Sequence, residues 1–371
     1  MSVVIFIIIL LVLVLVHEFG HFFTAKKFGI RVDEFGFGFP PKLFGKKYGE
    51  TEYTFNLLPL GGFVKIFGET PDEENMNGPD AGRSFVNKPK WQQAIVLFAG
   101  IFANFLLAWL FFSIGFMSGL PTSVGSEIAG SQLSDVNTVI VSVGSKSPAE
   151  IAGLKIGDKI ISAKYSDSKG KIDTVPDINP NTFRSFVMRH GGKEIEVGYI
   201  RGKNSEIKLV KIIPAISKTN GRPVIGISMD QIGTSKLGFF RALWEGLRLD
   251  WFMTKSTAVG LYTLIKEGIQ GKGSFAAVTG PVGMVGIVGD AYQFGFVYLL
   301  SFAALISINL AIINLLPFPA LDGGRLFFLL IEKIKGSPIK PKVANMANTI
   351  GFSLLILLMV IVTYHDIVKL F

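Results

Sequence analysis

Two histidines four residues apart carry the chemistry of this chain. His17-Glu18-Phe19-Gly20-His21 closes the apolar run Val3–Val16. Residues i and i+4 of a helix share a face, so both imidazoles can reach one metal ion while Glu18 faces its open coordination position. Catalytic zinc takes three protein ligands and a water whose pKa falls to about 7, and the glutamate accepts that water's proton as it attacks a carbonyl. The pattern predicts a hydrolase. Polar residues capping a membrane helix at the headgroups would give the same letters, but two imidazoles and a carboxylate on a membrane-length apolar segment are costly and mark function.

The elements that must position these groups are mostly membrane spans. With 49% hydrophobic residues and a mean hydropathy of +0.46, the 371-residue chain reads as a polytopic α-helical membrane protein. The net charge of +9 comes from scattered lysines and arginines, not from a basic patch interleaved with aromatics, so no nucleic-acid partner is expected. There is no cysteine, so any metal is held by His, Asp or Glu.

Residues 1–23 read as a retained first span, since no Lys or Arg precedes the apolar run and no small-residue cleavage site follows it. Lys26, Lys27, Arg31, Lys42, Lys46 and Lys47 follow it, which places the N-terminus outside and residue 24 onward in the cytoplasm. His17 then lies roughly 20 Å along a hydrocarbon core of about 30 Å, toward its cytoplasmic side. Residues 24–93 form a cytoplasmic segment. Within it, residues 48–68 predict an apolar β-hairpin, with Thr51–Phe55 and Phe63–Phe67 as strands around Leu58-Pro59-Leu60-Gly61-Gly62. Its apolar tip suits a loop that dips into the membrane beside the metal, or an ordinary small cytoplasmic hairpin. Residues 69–90 read as a polar loop.

A second span, residues 94–118, carries Asn104 at mid-depth, where an amide usually bonds a neighbouring helix. Residues 119–232 form a soluble domain outside the cytoplasm, with His190 on its turn-rich surface and not a ligand. Residues 233–293 comprise an amphipathic interfacial helix followed by a loop. The third span, residues 294–316, runs inward and delivers residues 317–347, so Asp322 arrives on the same side as His17 and His21. Asp322-Gly323-Gly324 reads either as a turn or as the source of the missing third ligand. Residues 348–371 form the fourth span, with the C-terminus outside. His365 therefore emerges on the outer face, away from the metal.

These residues resemble the site-2 protease family of intramembrane zinc metalloproteases, and within it the bacterial regulator-of-sigma-E protease type. His17–His21 matches the family's H-E-x-G-H, and Asn314–Gly324 its N-x-x-P-x-P-x-L-D-G-G. The resemblance implies His17, His21 and Asp322 as ligands of one zinc ion, Glu18 as the base, and Asn314 and Asn104 as substrate-positioning residues. Ala99–Asn104 has Ile101 where the family's A-G-P-x-x-N has proline, which weakens the reading of Asn104. Ser147–Asp158 is similar to the signature of bacterial PDZ domains and occurs once, implying one extracytoplasmic PDZ domain whose groove takes a peptide or a C-terminus. The hairpin corresponds to the family's membrane-reentrant loop, held to pair with an unwound substrate strand.

The implied activity is cleavage within transmembrane segments of pre-trimmed single-span membrane proteins, such as anti-sigma factors or remnant signal peptides, in the bacterial cytoplasmic (inner) membrane. An alternative is a membrane-bound PDZ adaptor without activity, against which the intact Glu18 and Asp322 argue. A metal transporter would need further His, Asp or Glu along its spans, which carry mainly Asn and Ser.

Overall fold

A computed structural model describes residues 1–70, 73–126, 133–167, 170–202, 206–217, 221–271 and 279–368. The chain divides into two compact units. The first holds residues 1–113, 246–289 and 300–371, and the second residues 114–245 and 290–299.

Among the described residues four helices are long and apolar enough to cross a membrane, as in a multi-pass membrane protein. They are α1 (Ser2–Lys27), α3 (Lys90–Ser118), α8 (Phe296–Leu315) and α10 (Pro341–Val368). Between α1 and α3 come β1 (Val32–Tyr48), β2 (Thr51–Ile66) and the short α2 (Glu73–Asn77). A buried cluster of Ala25, Ile30, Val32, Ile66, Phe85, Val96 and Leu97 locks the end of α1, the base of the β-ribbon and the start of α3 together. Leu326 and Leu329 pack onto it from α9 (Asp322–Lys335). This core fixes the segments that carry the candidate site. At its solvent edge, Glu50 accepts from both Lys26 and Arg83 at 2.5 Å.

The β-ribbon departs from expectation. Thr51–Phe55 and Phe63–Ile66 do not pair with each other; both flank Glu34–Phe37, and Phe44–Tyr48 adds to the outer side of Thr51–Phe55. Each long strand bends midway and pairs twice, giving four antiparallel rungs with residues 62–66 at one edge. The cause is in the sequence: Phe35, Phe37 and Phe39 alternate with Gly36 and Gly38, a period-2 pattern that supplies a strand ahead of the expected hairpin. Phe37 stacks on Phe55 at 4.2 Å and Phe44 on Phe55 at 5.1 Å.

Besides α2 inside the expected polar loop of residues 69–90, two further segments expected as loops are helical. α7 (Pro281–Phe294) forms because Pro281 opens it and the Asp366 carboxylate of α10 accepts from the Gly283 N–H at 2.9 Å, filling a first-turn donor. Asp322-Gly323-Gly324 is neither a turn nor a loop but the start of α9. An acid in the first turn, Lys333 and Lys335 in the last, and Gly336 as a left-handed C-cap all favour that helix. α6 (Phe239–Ile269) leaves Phe240, Trp244, Trp251 and Tyr262 exposed while Glu245, Leu249 and Asp250 are buried.

The second unit is built on a seven-stranded sheet. Its strands are β3 (Leu120–Ser123), β4 (Ser134–Val143), β5 (Lys159–Ser166), β6 (Ile172–Thr174), β7 (Ile195–Ile200), β8 (Lys208–Ile212) and β11 (Ile227–Ser235). The order is β3-β11-β4-β5-β7-β8, with β6 beside β5, and the short β9 (Ala215–Ile216) and β10 (Pro223–Val224) pair separately. Helices α4 (Pro148–Ile151) and α5 (Pro180–Arg189) accompany the sheet. Phe183 and Phe186 of α5 bury into its core with Ile140, Ile160 and Ile195. His190 is buried at the end of α5, contrary to its expected surface position, because its Nδ1 caps the Phe186 carbonyl at 3.0 Å and its ring packs on Tyr165 and Phe186. A groove of about 540 Å³ runs between α5 and residues 222–229.

Candidate metal centre

α1 turns His17 and His21 inward at 7% and 5% exposure, and the N-terminus of α9 turns Asp322 toward them. The His17 and His21 Nε2 atoms are 3.2 Å apart and lie 3.0 and 3.3 Å from Asp322 Oδ2. Ligands about 2.0–2.1 Å from a tetrahedral zinc stand about 3.3 Å from one another, so the spacing fits that ion. Asp322 Oδ2 is buried and makes no hydrogen bond, an orphaned anion where a cation would sit. Burial pushes the Asp322 carboxyl up, but its contacts with the two imidazoles overcome this and hold it below the usual carboxylate range. A donor set of two imidazoles and one carboxylate suits a catalytic zinc with an open position.

The approach of α3 to α1 is close. A Cβ on Gly20 would collide with the Ala99 carbonyl, and one on Gly100 would enter the His21 ring. His21 Nδ1 lies 2.8 Å from the Val96 carbonyl, and His17 Nδ1 lies 3.3 Å from the Asn104 amide nitrogen. Asn104 is wholly buried and does not line the cavity in front of the ligands. Asn314 is half-buried and also absent from that lining.

The cavity, about 510 Å³, is walled by Glu18 and the three candidate ligands, by Phe63, Val64 and Ile66 of β2, and by Asn348, Thr349 and Phe352 of α10. The Val64 N–H, on the free edge of the ribbon, donates to the Glu18 carboxylate. Arg325, one turn beyond Asp322, pairs with Glu69 at the cavity wall. Burial pushes the Arg325 guanidinium down, with Glu18 opposing that shift. Ala320 adopts a left-handed φ of 74° just ahead of the ligand, and its N–H donates to Asn348 Oδ1 at 3.2 Å. Sequence reasoning missed Asn348 and Arg325, and weighed Glu69 only as a replacement third ligand. Arg325 follows the aspartate by three residues and so shares its helix face; Asn348 had no local signal.

The model of peptidase family M50 matches residues 5–358. The chain belongs to that family. It is 34% identical to a candidate zinc metalloprotease of Clostridium acetobutylicum, over 99% of this chain and 97% of the relative. Identity is 31% to the zinc metalloprotease RasP of Geobacillus kaustophilus, covering 100% of this chain and 98% of the relative. It is 29% to the regulator of sigma-E protease RseP of Salmonella typhimurium, covering 98% of each. This M50 protein is therefore an intramembrane metalloendopeptidase of the site-2 type, with zinc as its implied cofactor.

Proposed function

We propose that His17, His21 and Asp322 hold one zinc ion and that Glu18 is the general base for hydrolysis of peptide bonds inside transmembrane segments. The observation that carries this is the convergence of three buried donor atoms within 3.3 Å beside a carboxylate, in a cavity that a strand edge borders. When bound, zinc supplies a water acidic enough to ionise near neutrality and a Lewis acid for the scissile carbonyl.

Glu18 accepts the proton of the attacking water and returns it to the leaving amide nitrogen as the C–N bond breaks. Val64 N–H keeps its carboxylate oriented for both transfers. The edge at residues 62–66 pairs with an unwound substrate strand by β-addition, aligning its carbonyls with the cavity. Asn314 holds the substrate near the bond to be cut.

The ribbon is membrane-reentrant in this reading. Gly61 comes against Val14, which lies about 6 Å deeper along α1 than Glu18, and Phe39, Leu57 and Leu58 at that end are exposed apolar groups. The sheet unit is a single extracytoplasmic PDZ domain whose groove, flanked by α5, takes a peptide or C-terminus. The alignment with RseP needs 460 positions against 371 residues here, room for a further domain in that relative. Basic residues after α1, before α3 and around α9 set both termini outside the bacterial cytoplasmic membrane. Substrates are single-span proteins already trimmed on that side, such as anti-sigma factors or remnant signal peptides.

The test is cleavage of a model single-span substrate by purified wild type and Glu18→Gln, with zinc measured in both. Cleavage falls by on the order of 10²–10⁴-fold in the variant while zinc stays bound. Undiminished cleavage ends this assignment, and a wild type that holds zinc without cutting any such substrate favours an adaptor.

A further inference from the structure

Both candidate histidine ligands present Nε2 to the site, which leaves Nδ1 of each to be accounted for. An imidazole that binds a metal through Nε2 carries its proton on Nδ1, and that N–H needs an acceptor to fix tautomer and ring orientation. For His21 the acceptor is plain: the Val96 carbonyl, 2.8 Å away. For His17 the group within reach is the Asn104 carboxamide, 3.3 Å away and wholly buried.

Its Oδ1 has no hydrogen-bond partner although it is buried. With the amide nitrogen facing Nδ1, a metal-bound His17 would meet donor with donor while the oxygen stayed unsatisfied. Turning the amide by 180° about its last torsion resolves both faults at once, since Oδ1 then accepts from Nδ1–H. Its position is fixed from behind by Ser307 of α8, whose Oγ donates to the Asn104 backbone carbonyl at 2.8 Å. Val96, Gly100 and Asn104 stand at i, i+4 and i+8 on one stripe of α3, so a single helix face orients both rings and makes room for one of them.

We infer that Asn104 is a positioning residue for the metal, accepting from His17 Nδ1–H to hold that ring in its zinc-binding tautomer, and does not contact substrate. Its absence from the cavity lining separates it from any substrate-facing role. The inference rests on the zinc site proposed above.

The test is zinc affinity by chelator competition in purified full-length protein, with the melting temperature of each variant in excess chelator as the check on folding. Asn104→Ala and Asn104→Leu should weaken zinc binding by about 10–100-fold while melting like wild type without metal. Asn104→Asp, which restores an acceptor, should bind closer to wild type than Asn104→Leu does. If Asn104→Ala and Asn104→Leu bind zinc as tightly as wild type while His17→Ala does not bind it, the positioning role is wrong and the zinc site stands. If His17→Ala also binds zinc as wild type does, the site itself is misassigned and this inference falls with it.

Discussion

The metal centre and the groove of the sheet unit differ in how far their residues travel. The three candidate ligands come from residues 17–21 and 322, and the groups around them from β2, α3 and α10, so the centre exists only when five segments meet. The groove is walled largely by α5 and the nearby stretch 222–229, close together in sequence. Reaction demands donor atoms held within tenths of an ångström, which tight convergence between helices supplies. The groove, built from two nearby stretches of one unit, is under no such demand. Damage should therefore spread widely at the first and stay local at the second.

Asp322→Asn gives the sharpest break. It exchanges a charged donor for a weak neutral one and removes the tie between α9 and α1, so zinc affinity should fall by more than the roughly 10–100-fold of an outer-shell loss, with cleavage following. Zinc titration checks it, and retention of wild-type affinity would place the third ligand elsewhere.

Gly100→Ala comes next, because its Cβ would enter the His21 ring. Overpacking of this kind costs about 1–3 kcal/mol, and here the ring that must yield is a candidate ligand. A lower melting temperature together with weaker zinc binding is expected. Loss of one without the other would show that the seam has slack.

The converse experiment removes residues 124–231. Ser123 and Ile232 are paired neighbours in β3 and β11, so an Asn-Gly turn can close the remaining ladder. If the sheet unit screens substrates, zinc content should be unchanged and untrimmed single-span substrates should be cut faster than by wild type. A folded, zinc-loaded variant that cuts nothing would make the sheet unit part of the reaction centre.

The smallest expected effect on cleavage is at Asp250 of α6, whose Oδ1 is buried without a hydrogen bond. Burial raises its carboxyl to about 7. A raised acid favours the folded state only while protonated, so its penalty is absent below about pH 4, grows as pH rises toward 7 and is constant above. Asp250→Asn should therefore stabilise the protein by about 1–2 kcal/mol above pH 7, a reduction from the full linkage of about 4 kcal/mol for residual solvation. Melting curves at pH 5 and pH 8 read it; an equal gain at both would refute the titration.

What could be read beforehand divides by distance along the chain. His17, Glu18 and His21 sit within one helical turn and a half, so spacing alone placed the two imidazoles on a common face with Glu18 beside them. Asp322 was legible as a partner through span parity and the motif around it. The strand at Val32–Phe39 was legible too, in its Phe/Gly alternation, but glycine's preference for turns hid it. α7 was hidden in the same way, since its first-turn donor is filled by Asp366, far along the chain. The Val96 carbonyl could not be foreseen at all, because a backbone acceptor leaves no mark in residue type. Neither could the pairing of Glu69 with Arg325, 256 residues apart.

The backbone-to-backbone seam at Gly20 and Gly100 bears on traffic. Parting α1 from α3 would strip His21 of its Val96 acceptor and His17 of Asn104, dismantling the centre as it opened. That side is a wall. Away from that seam the cavity is lined by Phe63 of the ribbon edge and by Asn348, Thr349 and Phe352 of α10. A crosslink stapling α1 to α3 should leave turnover intact, and comparing it with one that joins residues 63 and 352 tests whether substrate enters between β2 and α10.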